Sequence, residues 1–386
     1  MVKAIKVMLI PNNVQETKMF EYAGASRFAY NWALAREKEN YEKGGRFISD
    51  SELRKEFTKL RHSDEYAWLL NISNNVTKQA IKDACNAYKN FFKGLKKIPR
   101  FKSRKRSMPK FYQDNVKIRF SNTHVKFEGF SSGRKANKKM NWVRLAEHGR
   151  ISTDAKYMNP RISFDGLNWW ISVCVEFPDC KEILNDDGVG IDLGIKDLAV
   201  CSDGTKYKNI NKSRKVKKLE KQKRRLQRSI SRSYEKNKKG ESYCKTNNVI
   251  RKEKLLLKRN HRLTNIRKNY LNQTISEIVN RKPRFICIED LNVSGIMKNR
   301  HLSKAVQAQE FFGFRKQLEY RCSDKGNQLI VVDRFYPSSK LCSCCGNIKK
   351  DLKLSDRVYR CACGNMIDRD FQASINLKTY GEKFAG

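Results

Sequence analysis

The sequence predicts an α+β chain of several domains, and three observations predict it. At 386 residues the chain is longer than one hydrophobic core normally serves. Helical periodicity runs through residues 15–95, whereas residues 116–178 alternate apolar and polar positions between Gly, Asn and Ser turns, as strands do. From residue 187 onward, three short strand patterns are followed by helices and strands in alternation.

The first segment, MVKAIKVMLI, alternates like a strand but has no neighbouring sheet, so it is expected to join the β region of residues 116–178. It lacks the long apolar stretch of a secretory signal. Pro11-Asn12-Asn13 breaks it, and residues 15–43 then carry Phe20, Ala23, Phe28, Trp32 and Leu34 at helical spacing until Gly44-Gly45. Helices over 49–61 and 73–95 follow, the second entering at Ser73-Asn74 with Val76, Ala80, Ala84, Ala87 and Phe91 on one stripe. Residues 91–112 set Lys and Arg among Phe92, Phe101, Phe111 and Tyr112 around two prolines. Basic and aromatic side chains without a period suit nucleic-acid contact; the alternative is a solvated linker whose rings cap the neighbouring core. The runs VKIRF, HVKF, RISF and WWISVCVEF then predict a small β-barrel-like unit made of 1–10 and 113–185, with a helical module over 11–112 inserted into it.

In the second half, VGIDLGI, LAVCS and TKYKNI predict three hairpin strands, with Asp203-Gly204 turning the second hairpin. RFICIED (284–290) and QLIVVD (328–333) are the fourth and fifth strands; 303–325 and 371–380 are helical. Three hairpin strands, then helix, strand, helix, strand and helix, is the order of an RNase H-like α/β fold, expected over 186–334 and 368–386. Residues 212–236 hold twelve Lys or Arg against two Glu while Val216, Leu219, Leu226 and Ile230 keep an apolar seam. A partner helix over 249–281, with Leu256, Leu263, Ile266, Tyr270 and Ile278, would complete a basic helical hairpin within 212–282. Its one-sided charge suits a nucleic-acid backbone.

Composition points the same way. Lys and Arg number 82 against 40 Asp and Glu, a formal charge of +42 that only a polyanion would neutralise. A nucleic-acid duplex of about 20 base pairs carries about 40 phosphates, so the excess suits a channel around a whole duplex. A membrane surface is the weaker alternative, because nothing approaches a ~20-residue apolar span and no lipidation motif occurs. The expected location is a prokaryotic cytoplasm or nucleoid, where thiols stay reduced. Of twelve cysteines, five crowd into residues 342–363 and read as metal-binding, while Cys85, Cys174, Cys180, Cys201, Cys244, Cys287 and Cys322 read as buried thiols.

Two constellations carry chemistry. Hydrolysis of a phosphodiester by two hard cations needs a few convergent carboxylates. Asp192 lies in the first hairpin strand between Gly190 and Gly194, glycines that would let metal and phosphate approach the backbone; Glu289 ends the fourth strand; Asp370 opens the last helix. Asp290 and Asp368 are the nearest competitors, expected to face solvent or cap helices, with Asp368 the substitute ligand if the register is one turn off. Cys342-Ser-Cys344-Cys345 and Cys361-Ala-Cys363, fifteen residues apart, have the spacing of a closed four-thiolate zinc site over 335–367. Cys342, Cys345, Cys361 and Cys363 are the expected ligands of a structural Zn2+, with Cys344 as the alternate.

Nearly the whole chain resembles the TnpB proteins of insertion sequences, relatives of the miniature type V CRISPR nucleases. The resemblance rests on the N-terminal segment KAIKVMLIPNNVQETKMFEYAGASRFAYNWAL, the stretch NNVTKQAIKDACNAYKNFFKGLKKIPRFKSRK, and the motifs GIDLGIKDLAV, ICIEDLNVSGI, YPSSKLCSCCG and DRDFQASINL. It implies an RNA-guided endonuclease with a RuvC-type domain interrupted by a zinc ribbon and preceded by a wedge unit. Its guide RNA would derive from the transposon end, and it would cut double-stranded DNA beside a short transposon-adjacent motif. It further implies Asp192, Glu289 and Asp370 as catalytic acids holding two Mg2+ ions, with Mn2+ able to substitute. Gln372-Ala373-Ser374 departs from the family's usual Asn-Ala-Ala. Rival expectations are a nuclease-inactive RNA-guided repressor, a transposase joining DNA ends through the same metals, and a CRISPR-associated effector.

Overall fold

The alternation of the first ten residues becomes β1 (Val2–Ile10), and Asn12 then starts α1 (Asn13–Glu42) by a reciprocal cap in which Asn12 and Gln15 each accept the other's backbone N–H. Ser49 and Glu52 make the same cap for α2 (Asp50–Arg61), and a 3-10 turn leads to α3 (Asn74–Phe92). The strands β2 (Lys110–Tyr112), β3 (Arg119–Phe120), β4 (His124–Lys126), β5 (Trp142–Leu145), β6 (Tyr157–Phe164) and β7 (Trp169–Glu176) follow. This computed structural model describes residues 1–131, 137–178, 182–240, 242–353 and 356–385, in two compact units, Met1–Pro178 and Asp179–Gly386.

In the first unit the strands form one antiparallel sheet in the order β2-β6-β7-β1-β5-β4-β3, with β1 joining it at the centre between β7 and β5. The barrel-like expectation is corrected: the sheet is open, its edge strands β2 and β3 being three and two residues long and unpaired with each other. Its apolar face is covered by α1 instead of by closure. The Tyr22 ring meets Phe111 and Phe130 edge-on at 5.5 and 5.3 Å, and fully buried Ala25, Ala29, Ala33 and Ala84 let α1 and α3 lie close together.

The basic stretch after α3 divides between its two readings. Phe111 is in the core, Phe101 is exposed, and Phe92 packs against Tyr88 and Phe91. Lys102 does not face solvent with its neighbours. It lies over the Tyr30 ring, its backbone exchanges hydrogen bonds of 2.8 Å with the Asn31 side chain, and burial brings its ammonium down to about 7.

The second unit begins with β8 (Val189–Leu193), β9 (Asp197–Cys201) and β10 (Lys206–Lys208). A hairpin of α4 (Arg214–Lys236) and α5 (Asn247–Asn280) follows, with β11 (Lys238–Lys239) and β12 (Ser242–Tyr243) at its tip. Then come β13 (Phe285–Glu289), α6 (Val293–Ile296), α7 (Ser303–Gln309), α8 (Phe311–Lys325), β14 (Gln328–Val332), β15 (Val358–Arg360), β16 (Met366–Asp368) and α9 (Arg369–Phe384). The helix expected over 303–325 is broken at Glu310, whose φ of +53° is left-handed.

One five-stranded sheet runs β10-β9-β8-β13-β14, antiparallel through β8 and parallel from β8 to β14. Its interior strand β13 is covered on both faces. Ile286 and Ile288 join a core with Ile275, Ile278, Phe314 and Leu318, while Phe285 and Cys287 join Leu377 of α9. In the hairpin, Val216, Leu219 and Leu263 form a small core, Leu226 and Leu256 are half-buried, and Ile278 belongs to the sheet's core instead. Arg267 ties the pair by an ion pair of 2.9 Å to Glu220.

Cys85, Cys201, Cys287 and Cys322 are buried as expected, Cys174 is half-buried, and Cys244 is exposed because it sits at the hairpin tip. Cys180 lies outside the described residues. Among the described residues no helix is long and apolar enough to cross a membrane.

Candidate active site and metal centre

Two adjacent parallel strand ends and one helix start build the first site. β8 carries Asp192, its neighbour β13 carries Glu289, and α9 carries Asp370 in its first turn. All three line one cavity of about 280 Å³ together with Lys196, Ser339, Arg357 and Arg369. Gly190 makes this possible, though not in the expected way. A Cβ there would fall 2.0 Å from the Ser374 carbonyl oxygen and 2.4 Å from the Lys378 nitrogen, so the glycine lets α9 lie directly on β8. The space its missing Cβ leaves is filled by helix-on-strand packing.

Electrostatics in this cavity oppose three free carboxylates. Burial, then the charges of Glu289 and Asp370, push the Asp192 carboxyl well above its ordinary range. Burial also raises Glu289, against a hydrogen bond donated by the Ser338 hydroxyl. Arg369 reaches Asp370 at 3.2 Å and Arg357 at 3.9 Å. Such a group of oxygen donors, strained by mutual repulsion, suits hard divalent cations. The competitors do other work: Asp290 pairs with Arg315 and Arg334, and Asp368 caps α9 by accepting from the Asp370 and Phe371 N–H groups while pairing with Lys206.

The second site is the four-cysteine cluster. The sulfurs of Cys342, Cys345, Cys361 and Cys363 all lie within 4.8 Å of one another, the only described group of three or more such ligands gathered this closely. Cys344 is exposed and stands outside it. The Cys342–Cys363 and Cys345–Cys361 separations are both 3.6 Å. Four thiolates about 2.3 Å from a zinc ion at tetrahedral angles lie about 3.8 Å apart, so the spacing fits that ion. Burial acts to raise the Cys342 thiol, but N–H groups of Cys345 and Cys344 and the Asn365 amide bring it to about 6. The Asn365 N–H pulls Cys363 down, yet the sulfurs of Cys345 and Cys361 outweigh it and push Cys363 to about 12. A cation is what would let all four ionise together.

Sequence reasoning missed Ser338 and the role of Gln372. The Gln372 amide is fully buried; it donates to the Leu341 carbonyl at 2.6 Å and accepts from Ser343 at 2.9 Å. The departure from the family pattern therefore faces the cysteine turn. Only the run of polar residues on the buried side of the last helix could have signalled it.

A fold with hairpin-fed parallel strands, convergent acids and an inserted cysteine cluster defines a metal-dependent nucleic-acid enzyme as the class to compare. Three family models match: "Helix-turn-helix domain" (OrfB_IS605 type) over residues 1–46, "Probable transposase" (OrfB_IS605) over 172–300, and "Cas12f1-like, TNB domain" over 311–377. The first spans β1 and a single helix in this structure. A protein of Escherichia coli strain K12 that carries the provisional name RNA-guided DNA endonuclease InsQ is 30% identical, covering 93% of this chain and 87% of its own. A Streptomyces pristinaespiralis protein provisionally named RNA-guided DNA endonuclease is 28% identical over 98% of this chain and 89% of its own. The solved Cas12f1–sgRNA–target DNA complex shares the fold at a TM-score of 0.61, with 11% identity and 98% of both chains covered. The chain belongs to the TnpB family.

Proposed function

We propose that the chain is an RNA-guided DNA endonuclease of an IS605-type element, with Asp192, Glu289 and Asp370 as its catalytic acids. The observation that carries this reading is the meeting of these three carboxylates in one cavity, in a chain similar over nearly its full length to InsQ. The five-stranded sheet with α9 is read as a RuvC-like, RNase H-type nuclease domain over 186–334 and 368–386, and residues 335–367 as its zinc ribbon. The open sheet of 1–10 and 113–185 is read as a wedge unit, with the recognition module over 11–112.

Divalent cations held by the acids, two Mg2+ in this reading, would supply Lewis acidity for activating water and stabilising the leaving oxygen. The chain's own residues set the rest. Asp192 and Glu289 supply oxygens from rigid strand ends, so their positions follow the sheet. Arg369 and Arg357 hold Asp370 in the cavity, and Lys196 offers a cation on its wall for a scissile phosphate. Cys342, Cys345, Cys361 and Cys363 would hold Zn2+ with no position left for substrate, a structural role. The guide RNA would come from the transposon end, and the basic α4–α5 hairpin would lie along nucleic-acid backbone.

The test is co-expression with the native flanking DNA, sequencing of bound RNA, and incubation of the complex with Mg2+ and a plasmid library carrying the guide match beside randomised bases. Depletion of one adjacent motif by the native chain, absent for Asp192→Ala, supports the reading. Bound RNA with guided binding but no cutting would replace it by the repressor reading.

A further inference from the structure

The cysteine cluster and the carboxylate cavity are joined by a short chain of hydrogen bonds, most of them partly buried. Ser338, only 3% exposed, donates its hydroxyl to Glu289 Oε1. Its own carbonyl accepts from Asn376 Nδ2 at 2.7 Å, and the same amide donates to the Leu341 carbonyl at 2.7 Å. Gln372 Nε2 donates to that Leu341 carbonyl as well, and its Oε1 accepts from Ser343 Oγ and from Asn365 Nδ2 at 3.3 Å. Asn365 in turn donates to the Cys342 sulfur at 3.4 Å. Gln372 and Asn376 are 0% and 2% exposed, so α9 commits two buried amides to clamping residues 338–343.

We infer that Ser338 is a positioning residue for Glu289 and that the four-cysteine site, through Gln372 and Asn376, holds it in place. Glu289 sits at a strand end with a rotatable side chain, and a carboxylate that must meet a cation gains affinity from a fixed partner on its other oxygen. Partners of this kind typically alter metal affinity about 10- to 100-fold when removed. The fixed partner here belongs to the loop that opens the cysteine cluster, so order in that cluster becomes order at Glu289. The inference rests on the nuclease reading only for the identity of the cation.

The test is a Mn2+ titration of the full chain, free of RNA, followed by electron paramagnetic resonance, with Asp192→Asn as the blank. It is run beside the Mg2+ dependence of cleavage by the RNA-loaded protein. Ser338→Ala is expected to weaken Asp192-dependent Mn2+ binding about 10-fold or more, with guided DNA binding unchanged and Ser338→Thr restoring it. Gln372→Ala is expected to keep its zinc yet weaken Mn2+ in the same direction. Wild-type Mn2+ affinity in Ser338→Ala, or no recovery in Ser338→Thr, overturns the role of Ser338; wild-type affinity in Gln372→Ala overturns the link to the cysteines. A wild-type chain that binds Mn2+ through Asp192 but cuts no guided DNA would sink the nuclease reading and leave this inference standing.

Discussion

The two metal-seeking clusters of the second unit are assembled in opposite ways. The four thiols come from two tight turns within residues 342–363, and their sulfurs are already at the separations of a zinc tetrahedron. The three carboxylates come from β8, β13 and α9, are spread over residues 192–370, and share a cavity without gathering as tightly. A soft closed site is made by local chain geometry, whereas an open site for hard cations is made by tertiary packing and keeps room for substrate. Disturbing the fold should therefore reach the carboxylates first, and disturbing the metal should reach the cysteine loops first.

The largest effect expected on that comparison is chemical. Asp192→Asn should lower guided cleavage on the order of 1,000-fold or more, several kcal/mol of transition-state stabilisation, while guided DNA binding measured by gel shift stays within about threefold. Loss of binding in step with cleavage would show Asp192 to be structural. Next comes Cys345→Ser. Because a structural four-thiolate zinc contributes on the order of 10 kcal/mol to its local fold, bound zinc should fall from one per chain to none. Limited proteolysis should then cut between residues 335 and 367. Full zinc content in this variant, with Cys344 replaced as well, would break the assigned ligand set.

The cysteine site was legible because its information is local: two pairs, a spacing and the following glycines. The acids were legible only as members of an element order, since each alone looks like a turn residue or a cap. What stayed hidden depends on which surfaces meet. Gly190 reads as a flexible neighbour of Asp192, but its missing Cβ is filled by the backbone of a helix 184 residues later, at Ser374. Ser338 is one serine of a Ser-Ser pair, and nothing in YPSSKLC tells that it reaches Glu289. Lys102 stands in a charge run that patterning would leave in solvent, yet it is pinned over Tyr30. Closure of the first unit's sheet turned on whether two very short edge strands meet, which alternation within each strand does not encode.

Packing supplies the third test. Gly190→Ala puts a methyl group against backbone atoms that cannot rotate away, so α9 must lift from β8 and carry Asp370 with it. Overpacking of this kind costs about 1–3 kcal/mol. Cleavage should fall at least tenfold, and the zinc content should not change. Equal loss of zinc would mean that the two clusters are not separable by packing.

The smallest effect concerns a buried carboxylate with no metal to meet. Glu37 in the first unit is 4% exposed, its Oε2 accepts only a long 3.4 Å bond from the Ile48 N–H, and burial raises it to about 7. It is the control for Asp192, whose carboxyl is raised by burial and by carboxylate neighbours together. With a folded pKa near 7 and an ordinary value of 4.5 when unfolded, Glu37 takes up a proton on folding between those limits. Stability should therefore fall as pH rises from about 4.5 to 7 and stay low above it. Glu37→Gln should flatten that part of the profile and melt several degrees higher at pH 8, since 1 kcal/mol is worth about 2–4 °C in a unit of this size. Divalent cations should leave the Glu37 step unmoved, because the neighbouring carboxylate that also raises it, Glu52, is engaged by the Ser49 N–H and hydroxyl, whereas they should stabilise the second unit at the same pH through Asp192. A Glu37 step that shifts with Mg2+ would erase the distinction between a carboxyl raised chiefly by burial and one that shares its cavity with two other acids.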